Sequence, residues 1–164
     1  MVPQLFFIKE SYFIDHQDYI KMLDAGNTNK QTKRTHLCVQ VNANNNIFYI
    51  PLRNNLGAEV RKYGRIGHSV PSLKRAAAGL DYRYALIIND SKYLEPQTTI
   101  KIPTAQMNKI TAEYTKIQQE FEVYLNGFIK AAKKGRVEKE PLYRESSLIN
   151  YYKELQIKNH IKQK

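Results

Sequence analysis

The chain has 164 residues, about one domain by length, and its formal charge of +11 with a pI near 9.6 gives it a positive field that attracts phosphate polymers or anionic membrane. No apolar run approaches the roughly 20 residues that span a bilayer, and "MVPQLFFIKESYF" has neither a basic leader nor a cleavage site, so membrane is disfavoured and a cytoplasmic nucleic-acid partner is expected. The lone cysteine, Cys38, excludes a disulfide within the chain and, set in the apolar run "HLCVQV", reads as a buried, inert thiol.

In chain order, "QLFFIK" (Gln4 to Lys9) is aromatic and β-branched and predicts a strand. A short amphipathic helix is expected near Asp15 to Leu23, where Tyr19, Ile20 and Leu23 share a face, with Gly26 as its stop. "NTNKQTKR" (Asn27 to Arg34) is polar, basic and aperiodic, a loop. "HLCVQV" and "IFYIPL" read as paired strands joined through Asn42 to Asn46, because asparagine tolerates the positive φ of a tight hairpin turn. "YALII" (Tyr84 to Ile88) predicts a buried strand and "TTIKI" (Thr98 to Ile102) a half-exposed one.

From Pro103 and a candidate Thr104 cap, Met107, Ile110, Tyr114, Ile117, Phe121, Tyr124 and Phe128 step by three and four, predicting one long amphipathic helix that ends near Gly135. A second helix is expected over about 142–155, marked by Leu148, Tyr151, Tyr152 and Leu155, and the last residues form a basic tail. The sum is a single α+β domain over 1–164, a mostly antiparallel sheet with helices to one side.

The charge is unevenly spread. Residues 26–36 sum to +3, 53–83 to +5 and 129–164 to +6, while the framework between them is near neutral. A scaffold that displays basic segments along one continuous groove follows. Lys30, Lys33 and Arg34 in the first segment and Asn54, Arg61, Lys62, Arg65, Arg75, Asp81, Tyr82 and Arg83 in the second are the candidate RNA contacts, with tyrosines available to stack on bases.

Chemistry concentrates in the same mid-chain stretch. RNA is cut without metal when its 2′-OH attacks the adjacent phosphorus, which requires alignment, proton transfer and stabilisation of charge on the non-bridging oxygens. His68 is the side chain whose ordinary titration suits proton transfer, with Ser69 beside it. Arg53, Lys74 and Arg75 are the candidates to hold the phosphorane charge, and Asn55 offers an amide. A two-metal route finds only Glu59 and Asp81 in this region, and there is no His/Cys cluster with zinc spacing, so neither metal nor cofactor is expected. Asp81 in "GLDY" reads as an Asx turn leading into a strand.

The order "QLFFIK", "YIKML", a hairpin ending in "YIPLR", then "GLDYRYALII" and a long C-terminal amphipathic helix resembles the type III toxin–antitoxin endoribonucleases, the ToxN/AbiQ group. Within that group the chain is most similar to the CptN/TenpN-like branch, through Pro51-Leu52-Arg53 with Asn55 and through Gly79, Asp81 and Tyr82. The ToxN/AbiQ members carry Thr/Ser, Ser, Pro and Lys after the Pro-Leu, where this chain has Arg53, Asn54, Asn55 and Leu56, so that hydroxyl and that cation do not carry over.

The resemblance implies a ToxN-like twisted sheet, distantly similar to MazF/Kid toxins, and metal-independent cleavage of adenine-rich mRNA to 2′,3′-cyclic phosphate and 5′-OH ends. It also implies inhibition by tandem pseudoknot antitoxin RNA that the toxin cuts from its precursor, a closed ring of alternating protein and RNA, and phage defence by abortive infection. A non-catalytic RNA-binding module is the alternative reading of the same residues. DNA is disfavoured as a partner because no helix-turn-helix or ribbon signature appears.

Overall fold

Asn44 and Asn45 both adopt positive φ, +52° and +58°, the geometry of a two-residue hairpin turn whose twist matches the strands it joins. They connect β2 (His36–Ala43) to β3 (Asn46–Arg53) in antiparallel register, from Ala43 opposite Asn46 to Cys38 opposite Pro51. This ladder is the centre of the computed structural model, which describes residues 3–23, 36–96 and 102–158.

The other strands are β1 (Leu5–Ile8), β4 (Gly67–Ser69), β5 (Gly79–Asp81), β6 (Leu86–Ile87) and β7 (Leu94–Pro96). They form a seven-stranded antiparallel sheet among the described residues, in the order β4-β5-β3-β2-β1-β7, with β6 also paired to β3. The α+β class expected from the sequence is therefore observed.

Alternation along β2 and β3 divides the core between the two sheet faces. Val39, Val41, Phe48 and Ile50 join Leu80 and Tyr82 in one cluster with the long helix, where the Phe48 and Phe121 rings sit 4.9 Å apart edge to face. Cys38 and Tyr49, on intervening positions, join Tyr12 and Phe13 of helix α1 (Glu10–Asp15) on the other side. Burial raises the Cys38 thiol well above its ordinary pKa, consistent with an inert side chain. Short α2 (Ala58–Tyr63) follows β3.

The C-terminal helix is interrupted. Helix α3 (Thr104–Ala112) and helix α4 (Tyr114–Lys133) meet at Glu113, which leaves helical geometry at φ −106°, ψ 13°. The predicted stripe is still buried at Ile110, Ile117, Phe121, Tyr124 and Phe128, with Met107 and Tyr114 half-buried. Thr104 makes no side-chain cap bond.

Helix α4 stops as expected at Gly135 (φ +65°), which donates to the Ala132 carbonyl while Arg136 donates to Ala131, the paired closure of a Schellman motif.

Two helix expectations fail. The first helix runs from Glu10 to Asp15 rather than Asp15 to Leu23, and Ile20 is exposed. Residues 142–155 form turns and a 3₁₀ segment (Ser147–Tyr151) instead of an α-helix, yet Leu148, Tyr151 and Leu155 are buried as their spacing requires. Strand β6 is only two residues of the expected Tyr84 to Ile88, since Tyr82–Tyr84 form a 3₁₀ turn. The expected loop at 27–34, most of "TTIKI" and most of the basic tail lie outside the described residues.

Strands β3, β5 and β4 approach closely at Gly79, which lies opposite both Arg53 and Ser69. A Cβ there would sit 2.3 Å from the His68 carbonyl oxygen and 2.5 Å from Leu56 Cδ1, and the first contact is backbone that cannot rotate aside. Gly79→Ala is therefore expected to cost about 1–3 kcal/mol of stability, the usual cost of overpacking, seen as a lower urea midpoint with the slope unchanged.

Candidate functional site

Arg53 stands at the last position of β3, so a rigid strand aims it. Its Nη1 donates to Asp81 Oδ2 at 2.9 Å, and its guanidinium lies 5.3 Å from the centre of the Tyr84 ring. Asp81 is wholly buried. Its carboxylate also takes three bonds from Arg83, through the backbone N–H (3.1 Å), Nε (3.0 Å) and Nη2 (2.8 Å). Arg83 in turn donates to Glu59 Oε2 and to the Leu56 carbonyl, and its guanidinium lies 5.4 Å from the centre of the same Tyr84 ring. The backbone bond confirms the Asx turn read from "GLDY".

A cleft of about 980 Å³ opens beside Arg53. Arg53, Asn54, Asn55, Ser72, Lys74 and Arg75 give it a polar, cationic side, and Phe7, Leu37, Pro51 and Ile102 are among its apolar lining. No Asp or Glu is among the described lining residues, so the donors present suit an anion rather than a hard divalent cation. Asn55 spends its Oδ1 on the Gly57 N–H at 2.8 Å, which fixes the loop that leaves β3.

The expected residues thus separate. Arg53, Asn54, Asn55, Lys74 and Arg75 share the cleft. His68 does not line it. It is 7% exposed on β4, with Nδ1 2.8 Å from Glu120 Oε1 and Nε2 2.8 Å from Glu113 Oε1, so both ring nitrogens are taken by carboxylates. Where proton transfer was expected of it, the side chain fastens β4 onto the α3–α4 junction. Ser69 is exposed in register with Gly79, on the Arg53 row, but is not part of the cleft wall.

Asp81, Tyr82 and Arg83, where RNA contact was expected, are buried. The Tyr82 ring is in the core, its hydroxyl donates to Glu120 at 2.9 Å, and burial lifts its pKa far above the usual phenol value. Lys62 and Arg65 are exposed away from the cleft lining, Arg61 lies on α2, and Lys30, Lys33 and Arg34 lie outside the described residues. Of the three basic segments expected along one groove, only the middle one contributes to the cleft: none of residues 129–158 lines it, and residues 26–35 and 159–164 lie outside the described residues. Ser72, which supplies a hydroxyl to the cleft, carried no signal in "VPSLKR" beyond its neighbouring cations.

No protein-family model matches the chain, and no curated protein matches it. Two solved structures do. Lactococcal AbiQ, an anti-phage endoribonuclease of a type III toxin–antitoxin system, is 18% identical with a TM-score of 0.61, covering 95% of this chain and 98% of its own. A protein of a bacterial type III system whose toxin is selectively inhibited by a non-coding RNA pseudoknot is 12% identical with a TM-score of 0.56, covering 76% of this chain and 79% of its own. At these identities the shared property is the α+β fold.

Two outcomes are expected. Asp81→Asn leaves two guanidinium groups short of a partner and costs about 3–5 kcal/mol in chemical denaturation, whereas an exposed control such as Arg65→Gln costs little. Glu113 has its carboxyl pKa lowered below the ordinary 4.5, first by the His68 hydrogen bond. A depressed acid stabilises the fold above its unfolded value and ceases to do so as pH falls through the folded one. Wild-type melting temperature should therefore drop on acidification below about pH 4.5, and Glu113→Gln should lessen that drop.

Proposed function

We propose that the protein is an endoribonuclease toxin of a type III toxin–antitoxin system, silenced by structured antitoxin RNA of pseudoknot repeats that it cuts from a precursor. The observation that carries the reading is the cleft whose described lining has no acid and brings Arg53, Lys74 and Arg75 together with two asparagines and a serine, on a fold shared with AbiQ. The CptN/TenpN-like likeness belongs to this proposal and rests on Arg53, Asn55 and the Gly79-Leu80-Asp81-Tyr82 run.

In this reading the scissile phosphate sits against Arg53, Lys74 and Arg75, which stabilise the charge that grows as the O2′–P bond forms and the P–O5′ bond breaks, solvent water taking the 2′-OH proton and protonating the leaving 5′-oxygen. Asn54, Asn55 and Ser72 orient the sugar and phosphate. The cleft's described lining has no imidazole or carboxylate, so alignment and electrostatic stabilisation supply the acceleration, without a resident metal. A closed ring of protein and RNA units is consistent with antitoxin repeats that each occupy one such cleft.

The same lack of an evident proton acceptor supports the alternative of an RNA-binding module that does not cut. Incubation with adenine-rich RNA in EDTA separates the two. Cyclic-phosphate and 5′-OH ends are expected, reduced on the order of 100-fold in rate by Arg53→Ala, and intact RNA bound by the wild type would establish the module instead. Affinity for single-stranded RNA should fall with salt, and Lys74→Gln or Arg75→Gln should each lower the log–log slope by about 0.7. An affinity indifferent to salt would contradict the reading.

A further inference from the structure

Between β4 and β5 the chain forms a stiff finger. Val70 donates to the Ala78 carbonyl, and Ser72 and Arg75 exchange both backbone hydrogen bonds at 3.1 Å, leaving Leu73 and Lys74 at the tip. The base is tied on two sides, by the Leu56 N–H to the Ala77 carbonyl (2.9 Å) and by buried Gln106, whose Nε2 donates to the Val70 carbonyl at 2.7 Å. Leu73 at the apex is fully exposed, 106% of its reference area, whereas Val123, the next most exposed large apolar side chain among those described, stands at 64%. Its neighbours Ser72, Lys74 and Arg75 all line the cleft, as Leu73 itself does.

An apolar side chain held in water by a braced turn, among cations and without an acid beside it in the cleft, matches a partner that alternates apolar faces with negative charge. Single-stranded RNA has that pattern, with base faces about one phosphate apart. We propose that Leu73 is a wedge that enters the base stack of single-stranded RNA and parts two neighbouring bases, while Lys74, Arg75 and Arg53 hold the phosphates around the parted step. The inference rests on the cleft being an RNA site and adds a specificity element to it. Parting the stack frees one ribose from helical geometry, in which the 2′-oxygen is not in line with the leaving 5′-oxygen, and so favours attack at that step.

Full exposure makes the test clean, since Leu73→Ala removes no packing and should leave the melting temperature unchanged. The probe is a 2′-O-methyl adenine-rich oligomer carrying 2-aminopurine, which brightens on unstacking and cannot supply the nucleophile. Wild type should raise its fluorescence on binding. Leu73→Ala should bind within a few-fold of wild type yet lose most of that rise, and should cut the corresponding RNA about tenfold more slowly in single turnover, with Leu73→Phe restoring both. Equal brightening and equal cleavage by wild type and Leu73→Ala would overturn the wedge and leave the cleft reading standing. A change of oligomeric state in Leu73→Ala with RNA behaviour intact would overturn it in favour of a protein contact. Failure of the wild type to bind RNA would remove both proposals together.

Discussion

The arrangement of the cleft depends on one buried carboxylate. Asp81 is inaccessible to water and is balanced by four hydrogen bonds from two arginines, without which burying its charge would cost several kcal/mol. Arg53 is thereby held at the end of β3. Arg83 is held beneath, and it carries the restraint on to Glu59 and to the Leu56 carbonyl, while the Leu56 N–H secures the finger at Ala77. Both cationic sides of the cleft, strand end and finger, are thus braced through one network, and Gly79 lets the three strands come close enough to build it.

Asp81 and Tyr82 are consecutive and serve different partners. The carboxylate turns to Arg53 and Arg83, and the phenol reaches Glu120 on α4, which also meets His68. The four residues Gly79 to Tyr82 therefore couple the cleft to the sheet–helix contact: a close approach, a core leucine, a charge anchor and a link to the long helix. A cation positioned this way has already lost the rotamer freedom that pairing with an anion would otherwise cost.

The hairpin and the long helix were legible in the sequence because their signals are local: paired asparagines in a turn, and an apolar stripe stepping by three and four. The same kind of stripe misled at 142–155, since Leu148, Tyr151 and Leu155 are buried from an irregular 3₁₀ path that presents the same spacing. Arg53, Lys74 and Arg75, singled out because charge on a basic segment is visible without a fold, all line the cleft. The surroundings of His68 were not legible because they come from Glu113 at the α3–α4 junction and Glu120 on α4, 45 and 52 residues later, and nothing in "RIGHSV" records them. Chemical type was readable there, and environment was not.

Distribution of acids accounts for the remaining electrostatics. Glu59 and Asp81 are each bonded to an internal arginine, and Glu113 and Glu120 are bonded to the imidazole on the helix side. Lys74 and Arg75 have no ion pair among the described residues. Because a Debye length in physiological salt is about 8 Å, a phosphate in the cleft responds chiefly to such near charges rather than to the molecule's total. Among the described residues, the lysine and arginine of the finger are therefore cleft-lining cations left without an internal carboxylate partner, whereas Arg53 is paired with Asp81.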